Sequence, residues 1–131
     1  MNQHDVIEQK IVKDKERVEF LLNNGNFLDE DGYPTDDALE IIKKWHWDDI
    51  RGWFKFIEGI WHFYPWGWKE KDEPHQRKNL SVRRYYISTG GWSGNESIIH
   101  AMQENSLMWT LNWVQSNRGG HYIFEEYELN P

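Results

Sequence analysis

Two glycine pairs, Gly90-Gly91 and Gly119-Gly120, constrain this chain more than any other feature. The first lies in Ser88-Thr89-Gly90-Gly91-Trp92-Ser93-Gly94-Asn95-Glu96, between a strand-like run and a helix-like run. The second lies in Arg118-Gly119-Gly120-His121, between two strand-like runs. Glycine admits backbone angles closed to other residues and lets another group come close to the main chain. Both segments therefore read as built turns, and a strand-to-helix junction is where free amides hold an anion or a polar ligand. The competing reading is two tight turns, the first closed by a capping box from Ser93 to Glu96.

The elements around these turns follow from periodicity. Ile7, Ile11, Val18, Leu21 and Leu22 fall at helical spacings from Asp5 to Asn24, and Asn23-Asn24-Gly25 supplies a stop. Asp29 to Pro34 is turn chemistry, after which Thr35 or Asp36 caps a second helix through Ala38, Leu39, Ile41, Ile42 and Trp45. Ile50, Trp53, Phe54, Ile57, Ile60, Trp61 and Tyr64 trace the face of a third helix, capped by Asp48 or Asp49. Gly52 and Gly59 each weaken that helix by about 1 kcal/mol, so a strand pair through the same aromatic residues is the alternative. Lys69 to Asn79 lacks apolar periodicity and reads as a charged, mobile connection. Leu80 to Ser88 is a strand, and Gly94 to Asn105 a short helix. Leu107 to Gln115 and His121 to Leu129 are strands of a hairpin turning at Ser116 to Gly120. The expected fold is a single α+β domain over 1–131. Its helical part spans 1–64, its loop 65–79, and its β-α-β-β unit 80–131, forming a small, largely antiparallel sheet.

Composition narrows the function classes. The 131 residues include no cysteine, which excludes disulfides, thiolate metal sites and a cysteine nucleophile, and fits a reducing cytoplasm. The polar N-terminus carries no secretion-signal pattern, and no run is long and apolar enough to span a bilayer. A net charge of −7 is concentrated between Asp29 and Asp49, where eight acidic side chains face two lysines. Only Lys69 to Arg84 is locally basic, so direct nucleic-acid binding is not expected. Nine tryptophans, six tyrosines and six phenylalanines exceed what a domain of this size easily buries, which favours a homo-oligomer.

The candidate site is built from the two turns. Gly90, Gly91 and Gly94 open the backbone, and Ser88, Thr89, Ser93 and Asn95 add neutral hydrogen-bonding groups. Arg118 suits a bidentate contact to phosphate or carboxylate, and His121 offers a hydrogen bond or a proton. Trp92 or Tyr86 would stack on a base, whereas Trp109 and Trp113 are expected in the core. Against this stands the plainer view that Gly119-Gly120 makes a turn, Arg118 is solvated and His121 begins a strand. Glu96 would compete with an anion for the positive end of the following helix. The first segment is neither a Walker A sequence nor a complete G-x-G-x-x-G. His100, His121, Glu96 and Glu125 are possible proton carriers, yet no known catalytic order links them. His46-Trp47-Asp48-Asp49 is too short a cue for a metal, so no metal or cofactor is assigned.

Tyr86 to Ile99, the tryptophan-bearing strand and Arg118-Gly119-Gly120-His121-Tyr122-Ile123-Phe124-Glu125 together resemble a family of small bacteriophage and prophage proteins. The resemblance spans roughly Trp61 to Glu125 and includes Trp66-Gly67-Trp68. It implies a setting, the cytoplasm of an infected bacterium, and carries no catalytic assignment. The expected function is a binding protein that sequesters a nucleotide-like ligand and so counters host defence. One alternative is an acidic inhibitor of a host defence or nucleic-acid-binding protein, acting through Asp29 to Asp49. Another is a small hydrolase using the same loop, with His121 or Glu96 handling protons.

Overall fold

The structure, a computed structural model, describes residues 16–62, 66–74 and 81–127. Helix α1 occupies residues 16–24 and buries Val18 in the core; the expected first half of this helix lies outside the described residues. Asp29 folds the acidic turn onto itself, its carboxylate accepting from the Asp31 and Tyr33 amides at 2.9 Å each. Thr35 caps α2 (Asp36–Lys44), its hydroxyl accepting from the Ala38 amide at 3.3 Å. Acids open that helix and lysines close it, as the dipole favours.

Asp49 caps α3 (Ile50–Ile60), accepting from the Gly52 amide at 3.2 Å and from the Arg17 guanidinium of α1 at 2.5 Å. The two glycines that weighed against a helix here sit at close approaches. A Cβ on Gly59 would stand 2.4 Å from Leu22 of α1, so the residue that weakens α3 also lets α1 pack on it. The strand-pair alternative is not adopted.

Next come β1 (Trp68–Pro74), β2 (Ser81–Ser88), α4 (Ser93–Glu104), α5 (Ser106–Asn112), β3 (Trp113–Asn117) and β4 (His121–Glu125). The four strands form one antiparallel sheet in the order β1-β2-β4-β3. The expected α+β class, helices leading into an antiparallel sheet, is what the chain adopts. Tyr85 and Ile87 of β2, Phe124 of β4 and Trp68 of β1 are buried on one face. There Phe54 of α3 stacks on Tyr85 at 4.1 Å, and Phe124 packs edge-on to Trp109 of α5 at 5.3 Å. Alternation sends Arg84, Tyr86 and Ser88 to the opposite face, with their partners Glu125, Ile123 and His121. Asn105, at the corner between α4 and α5, donates to the carbonyls of Ile42 and Trp45 at 3.0 and 3.1 Å, tying that corner to α2.

Two segments differ from their expected form. The charged stretch from Lys69 begins in a strand, because residues 68–74 pair with β2 from Trp68↔Ile87 to Pro74↔Ser81; residues 75–79 lie outside the described residues. Ion pairs across the ladder replace apolar alternation: Arg83 binds Glu70 at 2.7 Å and Asp72 at 3.3 Å, and Arg84 binds Glu73 at 3.1 Å. Residues 107–112, expected as strand, are helical. The Asn105 carboxamide caps α5 by accepting from the Met108 amide, which seats Met108 and Asn112 in the interior. Tertiary packing thus overrides the strand propensity of this run.

Candidate functional site: the glycine end of the sheet

Because β2 and β4 are antiparallel neighbours, the end of one meets the start of the other, and Ser88 stands opposite His121. The Thr89 amide donates to the Gly120 carbonyl at 3.0 Å, and the Ser88 amide donates to the Gly67 carbonyl at 2.8 Å. Ser88 and Thr89 therefore lie beside His121 and Gly120. All four paired glycines have left-handed backbones, with φ of 65° and 74° at Gly90 and Gly91 and 84° and 78° at Gly119 and Gly120. Gly120 is also a point of contact, since a Cβ there would lie 2.2 Å from the Thr89 hydroxyl. Thr89 is buried, and its hydroxyl accepts from the Gly91 amide at 3.3 Å, bracing the loop from within.

Asn95 is fully buried and holds the scaffold together. Its carboxamide accepts from the His62 amide at 3.0 Å and donates to the His62 carbonyl at 2.9 Å and the Thr89 carbonyl at 3.2 Å. The end of α3 and the glycine loop are thereby joined. The expected capping box from Ser93 to Glu96 does not form: Trp92 stands at the N-cap of α4, and no side chain accepts a hydrogen bond there. Ser93 is already the first residue of the helix, and the Trp92 ring lies over Gly94 so closely that a Cβ on Gly94 would come within 2.2 Å of it. The same ring packs against Tyr33 at 4.5 Å and His62 at 4.3 Å. Trp92 thus joins the acidic turn, the end of α3 and the glycine loop.

On the open face, the Ser88 hydroxyl is hydrogen-bonded to His121 Nδ1 at 2.6 Å. The Arg118 side chain is exposed at the tip of the β3–β4 turn and has no ion-pair partner among the described residues. Arg17, Arg51, Arg83 and Arg84, by contrast, are each paired with a carboxylate. Tyr86 shares the face of Ser88 but is engaged elsewhere: its hydroxyl donates to Glu73 at 2.7 Å, directed along β1 away from the glycine loops. The fold therefore brings Ser88 and Thr89 against His121 and Gly120, with Gly90, Gly91 and Arg118 carried in the same two turns. It leaves Ser93 exposed at the start of α4, sets Gly94 and Asn95 beneath the surface, and turns Tyr86 away. His62 and Tyr33, which hold Trp92, carry no signal in the sequence beyond their residue type.

A denser electrostatic cluster lies on the helical face of the sheet. Lys55 of α3 bridges Glu58 at 3.4 Å and Glu70 at 2.8 Å, beside an open cleft of ≈ 410 Å³ between α1 and α3 lined by Val18, Leu22, Glu58 and Trp61. Burial alone raises the Glu70 carboxyl, but hydrogen bonds from Lys55 and Arg83 outweigh it and pull the pKa down to about 2. Glu58 moves the other way, raised by burial first and by the neighbouring Glu70. Arg51 grips Glu126 through two bonds of 3.0 and 2.8 Å, and the buried Tyr85 hydroxyl donates to the same carboxylate at 2.5 Å. Burial, and then Glu126, push that hydroxyl's pKa up.

Among the described residues no group of His, Asp and Glu is arranged to hold a metal ion, and no helix is long and apolar enough to cross a membrane. Comparison with protein-family models, curated proteins and solved structures finds no match.

Proposed function

We propose that the glycine end of the sheet binds a small anionic ligand of nucleotide type. Arg118 and the amide of Gly90 would meet its phosphate or ribose oxygens, while Ser88 and His121 add hydrogen bonds. The observation that carries this reading is the β2–β4 register, which sets both glycine turns side by side with an arginine that no described carboxylate neutralises. A guanidinium in that position keeps its fork for an incoming anion. Base recognition is not assigned to Trp92, whose ring packs against Tyr33 and His62. In the setting that the sequence resemblance implies, a phage protein in the bacterial cytoplasm, sequestering such a ligand would counter a host defence that signals with nucleotides.

The test is native mass spectrometry of the purified chain with a panel of nucleotides, followed by calorimetry on any that bind. The expected result is one retained nucleotide whose affinity falls at least about tenfold in Arg118→Ala. Failure of every phosphorylated compound to bind the wild-type chain would sink the reading.

One observation favours a hydrolase as the second reading, the 2.6 Å bond between Ser88 and His121. A histidine that activates a serine is ordinarily oriented by a third group. Among the described residues, His121 has no carboxylate partner. Release of product from a bound nucleotide, abolished in His121→Ala, would replace the binding reading with this one.

A further inference from the structure

The part-buried carboxylates of the molecule are not equally well served. Asp49, Glu70, Glu73, Glu125 and Glu126 have side chains between 15% and 22% exposed. Each accepts a bond of 2.7 Å or shorter from an arginine or a tyrosine. Glu58 of α3 is set almost as deeply, at 24%, yet its one described cation, Lys55, stands 3.4 Å away and binds Glu70 more closely, at 2.8 Å. Arg83 does not make up the difference, because Glu70 and Asp72 hold its guanidinium. Burial and the neighbouring Glu70 raise the pKa of Glu58, as befits a carboxylate short of positive charge.

Glu58 also lines the ≈ 410 Å³ cleft between α1 and α3, a volume that suits a small ligand. Val18, Leu22 and Trp61 supply apolar wall, and Glu19 joins Glu58 against the single ammonium of Lys55. The two helices touch where Leu22 packs over Gly59, and both of these residues line the same space.

We propose that this cleft binds a small primary ammonium ion on an aliphatic stem, with Glu58 as its counter-ion and the stem laid along Val18, Leu22 and Trp61. Charge selects the class of ligand. At and behind the cleft two cations, Lys55 and Arg83, stand among four carboxylates, Glu19, Glu58, Glu70 and Asp72. An anion is repelled there, and a neutral ligand leaves Glu58 uncompensated. The apolar wall in turn favours an alkylammonium over a metal ion, which gains nothing from hydrocarbon. The cleft shares no residue with the glycine end, and an ammonium bound here does not depend on an anion bound there.

Titration of the isotope-labelled chain with hexylamine near neutral pH, followed by NMR, tests this. Saturable shifts are expected at the amides of Leu22, Glu58 and Gly59, with hexanol and hexanoate, the neutral and anionic counterparts, binding at least about tenfold more weakly. Glu58→Gln removes the charge and keeps the shape, and should weaken hexylamine at least about tenfold with an unchanged circular dichroism spectrum. Should that variant misfold, the comparison of the three ligands on the wild type decides. Glu30→Gln, which removes the same charge from the exposed acidic turn, should leave binding unchanged. A wild type that shows no saturable shift overturns the proposal. So does hexanol binding as tightly as hexylamine, undiminished binding in a folded Glu58→Gln variant, or shifts centred on Asp29 to Asp37, which would mark diffuse attraction to the acidic turn.

Discussion

The two ends of the β2–β4 ladder are made of opposite chemistry. At one end, Arg84 pairs with Glu125 at 2.7 Å, and Glu126 serves both Arg51 and Tyr85. Charge is plentiful there, and each described charge has a partner. At the other end the strands finish in Ser88 and His121, neutral residues held by one hydrogen bond, and the turns beyond them are glycine. The only formal charge the turn brings is Arg118, left without a described partner. The same two strands therefore carry charges committed to the fold at one end and, at the other, an arginine outside the described ion pairs, on which the proposed ligand site rests.

Four experiments would break or sharpen that contrast. The largest expected effect is at the charged end: Glu126→Ala strands a half-buried arginine and a buried phenol together. Urea denaturation should show a loss of about 3 kcal/mol with ligand affinity unchanged. A loss under about 1 kcal/mol would mean that the network adds little to stability.

Next comes pH. The folded pKa of Glu70 is depressed, so the stability it contributes is full above the unfolded value near 4.5 and drains away as pH falls toward about 2. Glu58, with its raised pKa, has the opposite sign and favours the fold as it protonates. Denaturation between about pH 5 and 2 should show a fall on the order of 2 kcal/mol, largely absent in Glu70→Gln.

At the glycine end, Gly120→Ala forces a methyl against Thr89 at a φ of 78°. It should cost about 1–2 kcal/mol and abolish ligand binding by moving the loop. Unaltered binding would show that the exact loop shape is unimportant. The smallest stability effect belongs to Arg118→Ala, expected within about 0.5 kcal/mol of wild type. Any larger loss on thermal melting would mean that this arginine has a structural partner and that the two ends are alike.

The sequence spoke clearly where local chemistry agrees with the tertiary environment. Thr35 and Asp49 are helix caps that act as caps, and the Gly119-Gly120 turn joins two strands as its flanks suggest. It was silent where a distant partner decides. Nothing in Lys69-Glu70-Lys71-Asp72-Glu73 announces a strand until Arg83 and Arg84 stand opposite. Met108 belongs to a helix because Asn105 caps it, and Asn105 is itself held by Ile42 and Trp45. At the site, both turns were visible as motifs, but their meeting depends on strands that are not consecutive in the chain. Trp92 shows the same dependence: a tryptophan between glycines looks available for stacking, and the fold supplies Tyr33 and His62 to pack against it.

The strand order has a consequence for how the molecule comes into being. β4 follows every other described element yet sits inside the sheet, between β2 and β3. While a ribosome is still making it, β2 has only β1 beside it, and the ring of Phe54 waits for Phe124. Domains of this kind consolidate once their non-local contacts are available. The pairing of Ser88 with His121 thus forms only after β4 has been made, and so does the ligand site proposed at the glycine end.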